Sequence, residues 1–342
     1  MLDDLKYIHQ KDAQDALGVV EKQYQQLEAV FGVDTSSIGE ISNVVLAGMG
    51  GSALAAGIIK SWPKLIAPFE IVRDYAVPEY VNRQTLFVAS SYSGNTEETL
   101  AAIEAAEEKK AQIIVVCAGG KLAEIAKSKQ YPLFLLPQNY QPRMAVLLNF
   151  KALFELFSGL DLIDASKVSE LNSAIQHIKN SALSWRADTP TKENIAKQIA
   201  LDLVGKSPVI YSGPLLAPVG YKWKININEN AKNVAWCNQY PEFNHNEFLG
   251  WSSHPVDKPY AVVNLRSSFD NAQIQKRFDI SKKLLGGRMP DPLEVEVQGS
   301  SEIEQMLHAL VLGDFVSVYL AILNGLNPTP VELIEKLKTE LA

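Results

Sequence analysis

Cysteine is nearly absent from this chain: its 342 residues include two, Cys117 and Cys237, far apart and each inside an apolar, strand-like run. That excludes a disulfide framework and a zinc pattern built on paired cysteines. Histidine is also scarce, with five in all. There is no basic surplus. The formal net charge of −7 argues against nucleic acid as the main partner, because binding its backbone needs positive charge to neutralise phosphates. A small anionic ligand needs only a local site and stays allowed. No apolar stretch reads as long enough to span a membrane. The start, Met1-Leu2-Asp3-Asp4-Leu5-Lys6, is acidic rather than a basic lead into an apolar signal region. A cytoplasmic location is expected. No short-period repeat or low-complexity tract is visible.

What is present fits a globular α/β protein. Hydrophobic residues make up 47% and charged residues 21%, an ordinary globular balance, and the length suits two domains. Residues up to about Phe31 carry apolar positions at helical spacing, through Leu17, Val20, Tyr24 and Leu27. Strand-like runs then alternate with helical ones: Asn43–Ala47, Phe69–Val72, Thr85–Ala89, Gln112–Cys117 and Pro132–Leu136. Alternation of this kind predicts a parallel sheet covered on both faces. The pattern restarts at Pro208–Ser212 and continues through Val234–Asn238, Tyr260–Leu265 and Leu293–Val297, with helices at Asn271–Leu285 and Ile303–Asn324. The expected organisation is a helical segment over 1–40, one α/β domain over 41–160 and a second over 161–342.

The chain is organised around Ser90-Ser91-Tyr92-Ser93-Gly94-Asn95-Thr96-Glu97-Glu98, between a strand and a helix. Unpaired N–H groups at a helix start favour an anion. Ser91, Ser93 and Thr96 add hydroxyl donors around a glycine that lets the backbone turn. A phosphomonoester suits such a loop. Helix capping by Ser93 or Thr96 is the plainer alternative, but it needs one hydroxyl where this loop offers three. Upstream, Gly48-Met49-Gly50-Gly51-Ser52-Ala53 fits the dinucleotide fingerprint, with Asp74 near the end of the next strand. Against a dinucleotide, the hydroxyl loop already supplies a dedicated phosphate cradle. Gly50, Gly51 and Ser52 then bring a second helix start to the same ligand.

Three further stretches gather ionisable groups among polar residues. Arg143, after Pro142, is either a surface residue or one at the ligand-binding edge of the sheet. Asn226-Ile227-Asn228-Glu229-Asn230-Ala231-Lys232 is poor helix material, which suggests a polar site around Glu229. His245 sits in Pro241-Glu242-Phe243-Asn244-His245-Asn246-Glu247 and is either structural or half of an acid/base pair with Glu229. No second histidine falls at helical spacing, and His254 lies nine residues on, so no metal site is expected.

Taken together, these motifs resemble the bifunctional phosphoglucose/phosphomannose isomerase family, whose fold is the sugar isomerase (SIS) fold. The resemblance runs from about residue 40 to the end. The serine loop points to SIS domains in general. Asn228-Glu229-Asn230-Ala231-Lys232, Asn244-His245-Asn246 and Ile334-Glu335-Lys336-Leu337-Lys338 narrow it. The resemblance implies two SIS-type doubly wound domains, with a C-terminal helix returning to the active site. It implies aldose–ketose isomerisation of glucose 6-phosphate and mannose 6-phosphate with fructose 6-phosphate through a cis-enediol, in a homodimer, without metal or cofactor. Gly51, Ser52, Ser91, Ser93 and Thr96 would hold the phosphate, and Glu229 would move the proton. Arg143 would stabilise the enediolate. His245, supplied by the neighbouring subunit, would assist ring opening. Lys338, or Lys336 if the tail is out of register, would reach the ring oxygen. Where some members carry threonine in the C-terminal loop, this chain has Val331, which puts mannose 6-phosphate activity in question. The alternatives are a non-catalytic sugar-phosphate sensor and an isomerase for another sugar phosphate.

Overall fold

A computed structural model describes residues 1–253 and 259–341, apart from the side chain of Lys338. His254 therefore lies outside the described residues. The chain divides into two compact units, Gln23–Ile175 and Met1–Lys22 with Gln176–Ala342.

The first sheet is built from β1 (Asn43–Ala47), β2 (Phe69–Val72), β3 (Thr85–Ser91), β4 (Gln112–Cys117) and β5 (Leu133–Leu135), all parallel, in the order β2-β1-β3-β4-β5. The three central strands are buried on both faces, which is why they read as unbroken apolar runs rather than alternating ones. Val45, Ala47, Phe87, Ala89, Val115 and Cys117 point to one face and pack against the helices Glu97–Glu108 and Gly120–Lys129. The intervening Val44, Leu46, Leu86 and Val88, also buried, serve the opposite face, on the side of the paired helices Gly50–Ser61 and Val146–Gly159.

The second sheet contains β6 (Ser207–Ser212), β7 (Trp236–Gln239), β8 (Tyr260–Arg266) and β9 (Leu293–Glu296), again parallel, in the order β7-β6-β8-β9. Its aromatic core joins Tyr211, Tyr240, Phe243, Trp251 and Phe278. The doubly wound α/β class expected from the sequence is the class observed.

Two differences stand out. The first concerns Asn226–Glu229, expected outside a helix. It forms the last turn of the helix Ala217–Glu229. Val219, Trp223 and Ile227, all buried, recur every four residues, and tertiary burial of that stripe overrides the poor helix propensity of asparagine. The second concerns Glu302–Leu323, which is long and apolar enough by length and composition to cross a membrane, contrary to the sequence expectation, and 94% of its apolar window is buried inside the protein. It packs against the helices Ala16–Glu21, Ile195–Leu203 and Ala217–Glu229 as the core helix of its unit.

The first 22 residues belong with the C-terminal half for a physical reason. The Lys197 ammonium, fully buried, donates to the carbonyls of Leu2 (2.6 Å), Ala187 (2.8 Å) and Thr189 (2.8 Å) and pairs with Asp3 (3.3 Å). Those carbonyls replace the water the charge has lost.

Candidate active site

In the first sheet the chain runs from β1 to β2 on one side and to β3 on the other. Ligands in such sheets lie at this switch point, outside the carboxyl ends of the strands. Both loops singled out in the sequence start there. Ser91 is the last residue of β3 and is buried, Ser93 is exposed and Thr96 is half-buried. Ser91 Oγ lies 2.7 Å from Thr96 Oγ1 and 3.4 Å from Ser93 Oγ. It also accepts the Gly94 N–H at 3.1 Å, while Ser93 Oγ accepts the Asn95 N–H at 3.3 Å. Thr96 occupies the cap position of Glu97–Glu108, yet its side chain makes no capping bond. Capping is therefore not what the threonine hydroxyl does. Gly94 has φ +69°, and a Cβ there would come 1.7 Å from the Gly119 carbonyl oxygen, so only glycine lets the loop close in this way.

The glycine loop after β1 joins this cluster. Ser52 Oγ accepts the Tyr92 N–H at 3.3 Å, tying the first turn of Gly50–Ser61 to the hydroxyl loop. A Cβ on Gly51 would meet the Pro142 carbonyl at 2.7 Å, which places the Pro142–Met144 turn directly on that helix start. Arg143 in this turn is 3% exposed, which rules out the surface alternative. Gly51, Ser52, Ser91, Ser93, Thr96 and the Arg143 turn thus gather around one sheet edge.

In the other unit, Glu229 is the last residue of Ala217–Glu229 and half-buried. The residues around it are held from the core helix. Asp314, fully buried in Glu302–Leu323, receives Lys222 Nζ at 2.5 Å and the Asn226 side-chain amide. Asn230 Nδ2 donates to Ser317 Oγ at 2.9 Å, and Ser317 Oγ donates to the Asp314 carbonyl at 2.8 Å. Beyond Glu229, Asn228 Nδ2 donates to the Asn233 carbonyl at 2.8 Å. Lys232 Nζ donates to the carbonyls of Asn230, Asn327 and Pro328 at 3.1, 2.8 and 3.1 Å. The polar residues of this stretch hold its backbone in place. Glu229, Lys232, Trp236 and Val331 line one cavity of about 820 Å³ with the first residues of the helix Glu332–Leu341.

His245 ends a short 3-10 turn, Glu242–His245, and is exposed. Its neighbours are fixed on either side. Asn244 donates to Ser281 Oγ at 2.9 Å and accepts from Arg277 at 3.0 Å, and Asn246 donates to Glu242 at 2.6 Å. Glu247 accepts from Tyr211 Oη at 2.5 Å and Asn238 Nδ2 at 2.7 Å. Burial and this carboxylate push the Tyr211 hydroxyl well above its ordinary pKa. Lys336 is exposed in Glu332–Leu341; the side chain of Lys338 lies outside the described residues. Sequence reasoning missed Lys222, Asp314 and the Tyr211–Glu247 pair. Asp314 left one signal, a lone acid amid apolar helix residues.

Residues 38–136 match a family model described as an SIS domain, and residues 192–341 match one described as the bacterial phospho-glucose isomerase C-terminal SIS domain. A bifunctional phosphoglucose/phosphomannose isomerase of Caldicellulosiruptor bescii is 36% identical over 307 residues, covering 89% of this chain and 90% of that protein. The chain belongs to the bifunctional phosphoglucose/phosphomannose isomerase family. Among the relatives of this chain is a D-glucosamine-6-phosphate 4-epimerase of Sulfolobus acidocaldarius, 33% identical over 74% of this chain and 78% of that protein. The fold of a glucose-6-phosphate isomerase like protein from Thermus thermophilus superposes with a TM-score of 0.66 at 18% identity, covering 98% of each chain. In this isomerase-family chain the two SIS domains correspond to the two parallel sheets.

Proposed function

We propose that this chain interconverts glucose 6-phosphate and mannose 6-phosphate with fructose 6-phosphate by moving one proton between C1 and C2 of the open sugar. The observation that carries the reading is the hydroxyl cluster of Ser91, Ser93 and Thr96 at the switch point of the first sheet, with Thr96 not used as a cap. Those hydroxyls, Ser52 and the N–H groups around Gly51 bind the phosphate, whose binding energy positions the reacting carbons. Glu229 takes the proton from one carbon and returns it to the other, a task for a carboxylate held in a fixed place. The Asp314 and Ser317 contacts on either side of it support that fixity. Arg143 supplies positive charge where the enediolate oxygen develops. Lys338 serves the ring oxygen during ring opening, with Lys336 as the fallback.

His245 assists ring opening in the site of a second copy, so the working form is a homodimer. Its exposed imidazole on a pinned turn supports this. Substrates and products are charged phosphomonoesters that do not cross membranes unaided, which supports a cytoplasmic site of action.

The test is conversion of fructose 6-phosphate to glucose 6-phosphate, followed with a coupled dehydrogenase in excess chelator, with mannose 6-phosphate alongside. Turnover should survive the chelator and fall about 10²–10⁴-fold in Glu229→Gln, while fructose 6-phosphate binding persists. Mixing Glu229→Gln with His245→Ala protomers should restore activity that neither has alone. Binding without turnover in the unmodified chain would move the assignment to a sensor. Turnover of glucosamine 6-phosphate alone would move it towards the epimerase relative.

A further inference from the structure

The second sheet has a switch point of its own. From β6 the chain goes to β7 on one side and to β8 on the other, so the ligand crevice of this sheet lies outside the carboxyl ends of β6 and β8. Gly213 follows β6, and Ser267 to Asp270 follow β8. A protein group already stands in this place. Both carboxylate oxygens of Asp270 lie 2.2 Å from where a Cβ on Gly213 would be, so they rest on the glycine backbone. Asp270 is 7% exposed, and backbone N–H groups of Leu215 and Ser267 hydrogen-bond to its carboxylate. Its Oδ2 is buried with no partner.

These are the parts with which a βα loop holds an oxyanion: a glycine allowing close approach, loop N–H groups and the start of the next helix, here Ala217–Glu229. We propose that Asp270 is a resident anion whose carboxylate fills a small-oxyanion site in the second sheet, a site of the phosphate and carboxylate class that the protein closes on itself. The loop after β6 is then held without any ligand. The helix begun there ends at Glu229, about 18 Å away at 1.5 Å per residue, and is anchored before any sugar phosphate arrives. The bare Oδ2 marks a carboxylate doing an oxyanion's work with incomplete partners. A cation on Oδ2 is the rival explanation, and among the described residues no group of three or more His, Cys, Asp or Glu could hold a metal ion.

The test compares the full-length unmodified chain with Asp270→Ala, which empties the crevice, and Asp270→Asn, which keeps it filled. Thermal midpoints are read in ~100 mM sodium formate and in sodium chloride of equal ionic strength, since a ligand that binds only the folded state raises the midpoint. Formate should recover at least half of the midpoint lost in Asp270→Ala, and should act no better than chloride on the other two. Equilibrium dialysis should show inorganic phosphate bound per chain rising by one in Asp270→Ala over the unmodified chain. If Asp270→Ala does not accumulate folded, refolding yield in formate against chloride is read instead, with the same expectation. Equal response of Asp270→Ala to formate and chloride, with no added phosphate bound, overturns the proposal. So does a divalent cation that stabilises the unmodified chain but not Asp270→Asn.

Discussion

The two sheets end in crevices of the same topology but opposite use of polar groups. After β3, the hydroxyls of Ser91, Ser93 and Thr96 bond to one another and to loop N–H groups, with Ser93 exposed. After β8, Ser267 Oγ donates to Gln305 Oε1 at 2.7 Å and Gln305 Nε2 donates to Ser268 Oγ at 2.7 Å, while Asp270 covers Gly213. Hydroxyls bonded only to one another and to N–H groups of their own loop can turn their protons to a ligand. Hydroxyls bonded to a buried glutamine belong to the core. Serine content in a loop after a strand therefore does not identify a site; what the serines face does.

The largest effect should come from testing that contrast directly. On the proposed reading, Ser93→Ala with Thr96→Val removes two hydrogen bonds to a charged phosphate, about 3–6 kcal/mol at 1.5–3 each, so KM for fructose 6-phosphate should rise about 10²–10⁴-fold with little change in thermal midpoint. Ser267→Ala with Ser268→Ala should do the reverse, lowering the midpoint while KM holds. Equal KM effects in the two pairs would break the comparison.

Asp314 comes next. Asp314→Leu leaves Lys222 buried without its carboxylate, at a cost of about 3–5 kcal/mol, measured by denaturant unfolding. kcat should fall because Asn226 loses its anchor beside Glu229.

The third prediction uses two buried groups of the second unit that titrate in opposite senses. Burial pushes Asp270 up to about 6 in spite of its Ser267 and Leu215 N–H partners, so keeping it ionised in the crevice carries a cost that is absent below its ordinary 3.8 and complete once pH rises through 6. Burial and then nearby His177 push His308 down to about 4, so its contribution is full above its ordinary 6.5 and is lost as pH falls towards 4. Each shift is worth about 3 kcal/mol at 1.36 kcal/mol per unit. The two offset each other between pH 4 and 6.5. Asp270→Asn should make stability fall more steeply on acidification across this window, and His308→Gln should make it rise, as followed by urea unfolding at each pH.

The smallest effect is expected at Val331, which lines the same cavity as Glu229. Val331→Thr adds a hydroxyl worth about 0.5–1.5 kcal/mol, so the mannose-to-glucose rate ratio should rise a few-fold. An unchanged ratio would remove Val331 as a reason for weaker mannose 6-phosphate turnover.

Much of this was legible in the chain itself. The strands Asn43–Ala47 and Gln112–Cys117 are apolar after their first residue, and burial on both faces leaves no other pattern for a parallel strand. The hydroxyl loop was legible because three hydroxyls around Gly94 exceed what a cap needs. The helix carrying Glu229 was not, although Val219, Trp223 and Ile227 mark it, because its asparagines speak locally for a loop. The amides of Asn226 and of Asn230, just past the helix end, bond to Asp314 and Ser317, almost ninety residues away in sequence, and no local pattern reports such partners.

The sequence by itself determined the alternation of strands and helices, the parallel sheets and the order of the loops at their ends, because periodicity and turn chemistry act over a few residues. Only the tertiary structure decided which loop is open and which is filled, that Arg143 is buried, and that Lys197 fastens the first residues to the C-terminal half. Burial and hydrogen-bond satisfaction are properties of a group's final neighbours, and those neighbours are chosen by the fold as a whole.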